Sequence, residues 1–319
     1  MVGSTLERKG TVVGRFNDRL QAQWDEGRFV CVGLDPDMDK IFERAPSRMT
    51  DFRGTASVLV PYLQEVINAT HDVVCAYKPN WAFFLRHGAY GLEMLEQIVT
   101  YIRRHYPDVV VILDAKVADI GNTNLGYAQY AFDILDVDAV TVHPYMGYMA
   151  MSPFLDRDDR GVIVLARTSN PGADEFQDLE IDWAVMPREE PPPGIDSMYE
   201  YVAHQVAITW NHGGNCAVVV GATVPDELRV VRALVGDGIP ILIPGVGAQG
   251  GSLELAVQNG KNSRGDGFIV NASRSVLYAD AVDGQSFAEA ARNEVLRMNA
   301  VIRSTLNPAV FMPPPGNDV

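Results

Sequence analysis

Short apolar runs rich in β-branched residues recur along the chain, each long enough for a buried strand but too short for a helix. Eight of them predict strands, at Phe29–Leu34, Val73–Tyr77, Val109–Leu113, Ala139–Val142, Val162–Ala166, Ala217–Val220, Ile241–Ile243 and Phe268–Val270. Between these runs the apolar residues follow a helical spacing. That spacing predicts helices at Ala56–Ile67, Gly91–Arg104, Asn124–Leu135, Tyr199–Trp210, Asp226–Leu234 and Ser252–Asn259.

The alternation of strands with helices is typical of right-handed βαβ units, which build a parallel sheet. Eight such units in about 250 residues favour a closed barrel over an open doubly wound sheet. A dinucleotide-binding fold is disfavoured because Gly33-Leu-Asp35, and no GxGxxG, follows the first strand. We therefore predict an α/β protein with a single (β/α)8 TIM barrel over residues 1–319, in which residues 1–15 are an N-terminal extension.

Three charged residues crowd the end of the third predicted strand. Asp114 and Lys116 are two residues apart and project from the same face of the strand, and Asp119 follows just beyond its end. Placing a cation between two carboxylates at the mouth of a buried strand is costly, so stability alone is a weak reason to build such a cluster. A structural ion-pair network is the alternative, but the pattern favours a functional site.

Other predicted strands also end in polar residues, as expected of the catalytic face of a barrel. These are Asp35 after the first strand, Lys78 after the second, His143 after the fourth and Arg167-Thr-Ser-Asn-Pro171 after the fifth. The glycine-rich loop Pro244–Gly251 follows the seventh strand, and Arg274 follows the eighth. A glycine-rich loop paired with an arginine at this position predicts a phosphate site, in which Gln249 and backbone N–H groups hold the oxygens and Arg274 acts as a clamp.

Composition narrows the function further. The net charge of −15 argues against a nucleic-acid or anionic-membrane partner, so an anionic ligand needs a local cationic pocket. No apolar run reaches the ~18 residues of a membrane span, and the N-terminus lacks the apolar core of a signal peptide. The three cysteines show no metal-binding spacing, which predicts reduced core residues of a cytoplasmic protein.

Several motifs occur in a fixed order along the chain. They are Asp35, Lys78, Asp-x-Lys-x-x-Asp at Asp114–Asp119, Thr123, Thr-Ser-Asn-Pro at Thr168–Pro171, the loop Pro244–Gly251 and Ser273-Arg274. Together they resemble the orotidine 5′-phosphate decarboxylases, and Lys-Pro-Asn-x-Ala-Phe-Phe at Lys78–Phe84 resembles their longer subfamily, often called type 2. The resemblance extends from Phe16 to Tyr278.

The resemblance implies conversion of orotidine 5′-phosphate to uridine 5′-phosphate (UMP) and CO2, the last step of de novo pyrimidine synthesis. It implies that Lys116 donates a proton to C6 of the pyrimidine, that Asp114 faces the departing carboxylate, and that Lys78 pairs with the carboxylates and touches the ribose. Related Mg²⁺-dependent barrels carry a metal-binding Glu where this chain has Lys78. The resemblance therefore implies an enzyme without metal or other cofactor.

The same resemblance implies a homodimer and the remaining contacts. It assigns Asp35 and Thr123 to the ribose hydroxyls, Asp119 of the partner subunit to a position beside them, Ser169 to the pyrimidine, and Gln249 and Arg274 to the phosphate. It gives His143 no chemical role, and packing at the barrel mouth is the simpler interpretation.

Two other functions stay open from the residues alone. One is a Mg²⁺-dependent sugar-phosphate decarboxylase or aldolase on the same barrel, and the other is a non-catalytic barrel that binds a phosphorylated sugar. Residues 172–196 form an insertion after the fifth strand, either a lid over the pyrimidine or an acidic solvated loop. The proline-rich residues 307–319 predict a flexible tail.

Overall fold

Eight parallel strands form a closed barrel in the computed structural model, which describes residues 16–44, 52–184, 192–247, 250–282 and 284–307. Each strand pairs with the next along the chain, and the last closes onto the first. The strands are β1 (Val30–Leu34), β2 (Ala76–Pro79), β3 (Val110–Val117), β4 (Ala139–Val142), β5 (Gly161–Arg167), β6 (Cys216–Val220), β7 (Ile241–Ile243) and β8 (Phe268–Ala272). The predicted (β/α)8 fold is confirmed.

The helices surround this barrel. They are α1 (Phe16–Asp25), α2 (Met38–Arg44), α3 (Phe52–Thr70), α4 (Trp81–Leu85), α5 (Ala89–His105), α6 (Gly121–Ala128), α7 (Tyr148–Leu155), α8 (Asp174–Gln177), α9 (Met198–Gln205), α10 (Pro225–Val235), α11 (Leu253–Gly260), α12 (Arg274–Leu277) and α13 (Phe287–Leu306). The strands are buried on both faces, as a parallel sheet covered by helices requires. None of the helices within the described ranges is both long and apolar enough to cross a membrane.

The strand boundaries differ from the prediction in a consistent direction. We predicted that the second strand ends at Tyr77 and the third at Leu113, but pairing continues to Pro79 and Val117. Lys78, Asp114 and Lys116 therefore lie within strands and not after them. In both strands the apolar residues end before the backbone pairing does. A prediction from hydropathy therefore places the end of the strand too early.

Two predicted helices are each divided. Asn124–Leu135 comprises α6 and a π-helical stretch, Gln129–Ile134, and Tyr199–Trp210 comprises α9 and a second π-helical stretch, Val206–Trp210. The apolar spacing did not distinguish these wider turns from α-helix, because both keep one face against the barrel.

Helix α1, which the apolar pattern did not predict, covers the N-terminal end of the barrel. The ring of Phe16 lies so close to Gly161 that a Cβ on that glycine would be 2.5 Å from it. Glycine at the start of β5 thus lets the helix seal the bottom of the barrel. The predicted extension at residues 1–15 lies outside the described residues, as does the predicted tail beyond Asn307.

Candidate active site

A cavity of about 610 Å³ opens at the C-terminal ends of the strands. This is the face where barrels of this kind carry their sites. Its lining includes six residues to which the sequence assigned a role, Asp35, Lys78, Asp114, Lys116, Ser169 and Arg274, together with five that had no assigned role, Asn80, Thr141, Gln177, Asn271 and Ser273. Six of the eight strands, β1 to β5 and β8, or the loops directly after them, therefore contribute polar side chains to one cavity.

The centre of the cavity is a chain of three charged side chains. Lys78 Nζ lies 2.6 Å from Asp114 Oδ2, and Lys116 Nζ lies 2.6 Å from Asp114 Oδ1. The side chains of Lys78 and Asp114 are only 4% and 9% exposed, whereas that of Lys116 is 49% exposed. One ammonium is thus fixed in the wall, and the other reaches toward the open cavity.

The neighbouring charges keep the buried pair ionised. Burial would raise the pKa of Asp114, but the ammonium groups of Lys78 and Lys116 outweigh it and hold that pKa well below its usual range. Burial likewise would lower the pKa of Lys78, but Asp114 and Asp35 raise it above its usual value. Lys78 and Asp114 are therefore a charged pair throughout the neutral pH range.

The backbone at Lys116 adopts an uncommon conformation. Its φ is +50°, in the left-handed region that side-chain-bearing residues rarely occupy. The regular pairing of β3 with β4 shifts at this point, between Leu113 and Val117. The hydroxyl of Thr141 on β4 contacts this segment, accepting from the N–H groups of Ala115 and Lys116 at 3.0 Å each.

Asp35 and Asn271 line the cavity beside the β1–β8 seam. Oδ1 of each residue is buried and has no hydrogen-bond partner among the residues that the structure describes. An unpaired buried acceptor costs free energy, so each side chain would gain by turning this oxygen toward a hydroxyl donor of a ligand. The sequence assigned no role to Asn271, which directly follows the predicted eighth strand and lies within β8 in the structure.

The structure describes only part of the cavity end that we predicted to bind phosphate. Gly245, Val246 and Arg274 line it, and Arg274 is exposed at the start of α12. Gly245 and Gly247 have positive φ, and the turn is held by a hydrogen bond of 3.1 Å from Gly251 N–H to the Gly245 carbonyl. Gln249, predicted to contact the phosphate, lies outside the described residues.

The loop after β5 brings one residue to the cavity that the sequence did not reveal. Gln177, at the end of α8, accepts from the N–H of Thr168 at 2.8 Å and lines the cavity. The next residue, Asp178, forms a bidentate ion pair with Arg167 at 2.6 and 2.9 Å. The start of the predicted insertion at residues 172–196 is thus fastened to the strand end that carries Ser169, while residues 185–191 are outside the described ranges.

Two predicted site residues do not line the cavity of their own chain. Asp119 is half-buried and Thr123 is exposed, both at the start of α6. Asn124 holds this turn by accepting from Asp119 N–H at 2.9 Å and donating to the Asp119 carbonyl at 2.8 Å. His143 also lies off the cavity, and its backbone N–H donates to the Val117 carbonyl at 3.3 Å.

A parallel (β/α)8 barrel with a lysine–aspartate–lysine chain at the C-terminal strand ends belongs to the class of barrel enzymes. This protein belongs to the orotidine 5′-phosphate decarboxylase / HUMPS family, whose sequence profile matches residues 28–290.

Named relatives agree with this assignment. The chain is 43% identical to the orotidine 5′-phosphate decarboxylase of Janthinobacterium sp. (strain Marseille), over 90% of this chain and 97% of that protein. It is 44% identical to the orotidine 5′-phosphate decarboxylase of Ralstonia pickettii (strain 12J), over 88% of this chain and 96% of that one.

Solved structures give the same result. The OMP decarboxylase of Leishmania donovani is similar with a TM-score of 0.73 and 32% identity, over 91% of this chain and 99% of that one. The UMP synthase of the same organism is similar with a TM-score of 0.74 and 34% identity over 90% of this chain, which spans 56% of that longer protein.

Proposed function

We propose that this protein decarboxylates orotidine 5′-phosphate to UMP and CO2, the last step of de novo UMP synthesis, without a cofactor. The observation that carries the proposal is the Lys78–Asp114–Lys116 chain at the cavity centre, in a protein about 43% identical to named orotidine 5′-phosphate decarboxylases. We also propose a cytoplasmic location, in keeping with the three free and buried cysteines.

The proposed chemistry is electrostatic. When the bond between C6 and the carboxylate breaks, its electron pair stays on C6, and CO2 leaves. A fixed ammonium stabilises negative charge best while that charge develops, and Lys116 reaches into the cavity for this purpose. Lys116 then donates a proton to C6, which gives UMP. Asp114 would face the substrate carboxylate, and the unfavourable contact would end as CO2 departs.

The other cavity residues suit the rest of the nucleotide. Asp35 and Asn271 line the cavity and would bind the ribose hydroxyls, and Ser169, in the loop after β5, would bind the pyrimidine. Arg274 and the glycine-rich loop would bind the phosphate, with Gln249 as a further contact. Binding energy gained at the phosphate, far from C6, can order the site around the reacting atoms.

The hydrogen bonds to Asp114 favour a reaction without a metal ion. Each of its carboxylate oxygens already accepts from an ammonium group, so Mg²⁺ would have to displace a lysine to bind there.

The loss of orotidylate ultraviolet absorbance on adding enzyme, with and without EDTA, tests both the function and the absence of a metal ion. We expect equal rates in both. Activity abolished by EDTA and restored by Mg²⁺ would overturn the cofactor-free mechanism, and no decarboxylation at all would overturn the function.

We further propose a homodimer in which Asp119 and Thr123 complete the partner's site. Both lie outside the cavity of their own chain, near exposed apolar side chains in and before the two neighbouring helices α6 and α7. These are Ile120, Leu125, Tyr145 and Met149, which are 55%, 53%, 89% and 78% exposed. Exposed apolar side chains grouped in this way are typical of a surface that another protein covers.

Mixing inactive subunits tests the shared site. Neither the Lys116→Ala nor the Asp119→Ala homodimer should be appreciably active. In a mixed dimer, the Asp119→Ala chain keeps Lys116 and receives Asp119 from its partner, so one site is whole. Random association of equal amounts should restore roughly a quarter of all sites. Activity no higher than that of the two parents after co-refolding would show that Asp119 acts within its own chain.

A further inference from the structure

We propose that Thr141 is a positioning residue, whose hydroxyl holds both Lys116 and Asp114 in the arrangement that decarboxylation needs. The inference rests on the proposed function, because it assigns Thr141 a part in placing the proton donor. It concerns a residue of β4 that belongs to an ordinary β-branched run in the sequence, Ala-Val-Thr-Val.

The hydroxyl of Thr141 uses its full bonding capacity on the reactive segment. A hydroxyl can donate one hydrogen bond and accept two. Thr141 Oγ1 donates to Asp114 Oδ1 at 3.0 Å and accepts from the N–H groups of Ala115 and Lys116, also at 3.0 Å. The residue is 1% exposed, so all three bonds are sheltered from water. Because the hydroxyl has no further hydrogen bond to give, it can affect a bound ligand only by positioning Asp114 and Lys116.

The need for this hydroxyl comes from a bulge in β3. Leu113 pairs with Val140 and Val117 pairs with Val142, so three residues of β3 stand opposite Thr141 alone. Regular ladder bonds cannot serve all of them, and bulges next to active sites commonly re-aim a side chain. The hydroxyl replaces the missing main-chain acceptor for two consecutive N–H groups.

The same bulge contains the strained residue. Lys116 has φ of +50°, an unfavourable conformation for a residue with a side chain that persists only where the surroundings enforce it. Thr141 bonds to Lys116 N–H and also to the carboxylate that accepts from Lys116 Nζ at 2.6 Å. The buried Thr141 hydroxyl therefore positions both the backbone of Lys116 and the Asp114 carboxylate that binds the Lys116 ammonium group.

Losing the hydroxyl should disturb chemistry more than binding. Without it two N–H groups lose their acceptor and Asp114 loses a donor, so Lys116 can relax from its strained conformation. A displacement of about 1 Å at a reacting group can cost around 100-fold in rate. Arg274, the proposed phosphate contact, lies at the start of α12 and away from β3 and β4, so nucleotide affinity should change little.

A matched pair of variants separates the hydroxyl from the side-chain shape. Thr141→Val keeps the branched shape and removes the hydroxyl, whereas Thr141→Ser keeps the hydroxyl and removes the methyl group. We expect Thr141→Val to lower kcat by about 10- to 100-fold with KM within about threefold, and Thr141→Ser to retain kcat within about threefold. Unfolding followed by circular dichroism identifies any variant that fails to fold. If Thr141→Val does so, Thr141→Ala takes its place.

Two results would overturn the inference. One is a folded Thr141→Val enzyme with wild-type kcat, and the other is a Thr141→Ser enzyme as impaired as Thr141→Val, which would assign the effect to packing of the methyl group. A crystal structure of Thr141→Val gives a readout independent of turnover. We expect Lys116 to leave positive φ there, and an unchanged Lys116 and Asp114 would also overturn the positioning role. If wild-type enzyme did not decarboxylate orotidylate, the proposed function would fail, while this crystal structure would still decide what Thr141 positions.

Discussion

Two buried aspartates at opposite ends of the barrel each lie between two cationic side chains. At the C-terminal end, Asp114 lies 2.6 Å from both Lys78 and Lys116. At the N-terminal end, Asp138 lies 3.3 Å from Arg19 and 2.8 Å from Arg103. Both aspartate side chains are 9% exposed, so neither burial nor the count of charges distinguishes the two clusters.

The difference lies in how the cations are held. Arg19 also donates to the Pro107 carbonyl at 2.5 Å, and Arg103 to the Asp136 carbonyl at 2.7 Å. These planar guanidinium groups join neighbouring loops under the barrel. Lys116, by contrast, is half exposed, stands on a strained backbone and faces a cavity. A buried charge cluster whose cation faces open space thus indicates a functional site, whereas one whose cations bind backbone carbonyls indicates a structural role.

Removing one cation from each cluster is the strongest test of this difference. Lys116→Ala should lower kcat by about four orders of magnitude or more, because it removes both charge stabilisation and the proton donor, while UMP still binds. Arg103→Ala should instead lower the free energy of unfolding by about 1–3 kcal/mol and leave kcat of the folded enzyme within about threefold. Turnover assays and urea unfolding on both variants measure this. Comparable loss of kcat in the two variants would contradict the distinction.

Arg274 extends the comparison to a cation that lines the cavity at the end proposed to bind phosphate. Arg274→Ala should raise KM and also lower kcat, because binding energy from the phosphate is used to order the site. A charge-assisted pair of this kind costs about 2–5 kcal/mol to lose, so kcat/KM should fall at least about 30-fold. Arg229→Ala, on the exposed face of α10, is the control and should change neither constant. A fall of less than about threefold for Arg274→Ala would exclude it as the phosphate clamp.

The smallest expected effect is the pH dependence of the Lys78–Asp114 pair. The pKa of Asp114 is lowered in the folded protein, so its stabilisation is present above the ordinary value of 3.8 and is lost as pH falls through the folded value. The pKa of Lys78 is raised, so its stabilisation is present below 10.5 and is lost as pH rises through the folded value.

The difference in unfolding free energy between wild type and the Lys78→Met/Asp114→Asn double variant, which lacks both titrating groups, should therefore vary by less than about 0.5 kcal/mol from pH 5 to pH 9, and shrink below about pH 4. Urea unfolding across this range measures it. A change of more than about 1 kcal/mol between pH 5 and pH 7 would mean that Asp114 titrates near neutrality.

The sequence predicted the parts of the molecule that depend on local pattern. The bounds of β4 and β7 were predicted without error, because each is an uninterrupted apolar run between polar residues. The residues of the Lys78–Asp114–Lys116 chain were also identified, since strands of a parallel barrel bring their carboxyl ends together.

The parts that escaped prediction depend on contacts between distant segments. Thr141 looks like any strand-forming residue, and only the shifted register of β3 and β4 gives its hydroxyl three partners. Gln177 reaches the cavity because the loop after β5 folds back onto Thr168. The roles assigned to Asp119 and Thr123 stay predictions, because a single chain does not contain the whole proposed site.

The segment from Lys116 to Thr123 contributes to two active sites in the proposed dimer, because Lys116 serves its own chain while Asp119 and Thr123 serve the partner. A separated subunit then has no complete site, so mass action sets the amount of active enzyme. Specific activity should fall on dilution, and a nucleotide that contacts both chains should strengthen their association by linkage. The substrate would then help to assemble the enzyme that consumes it.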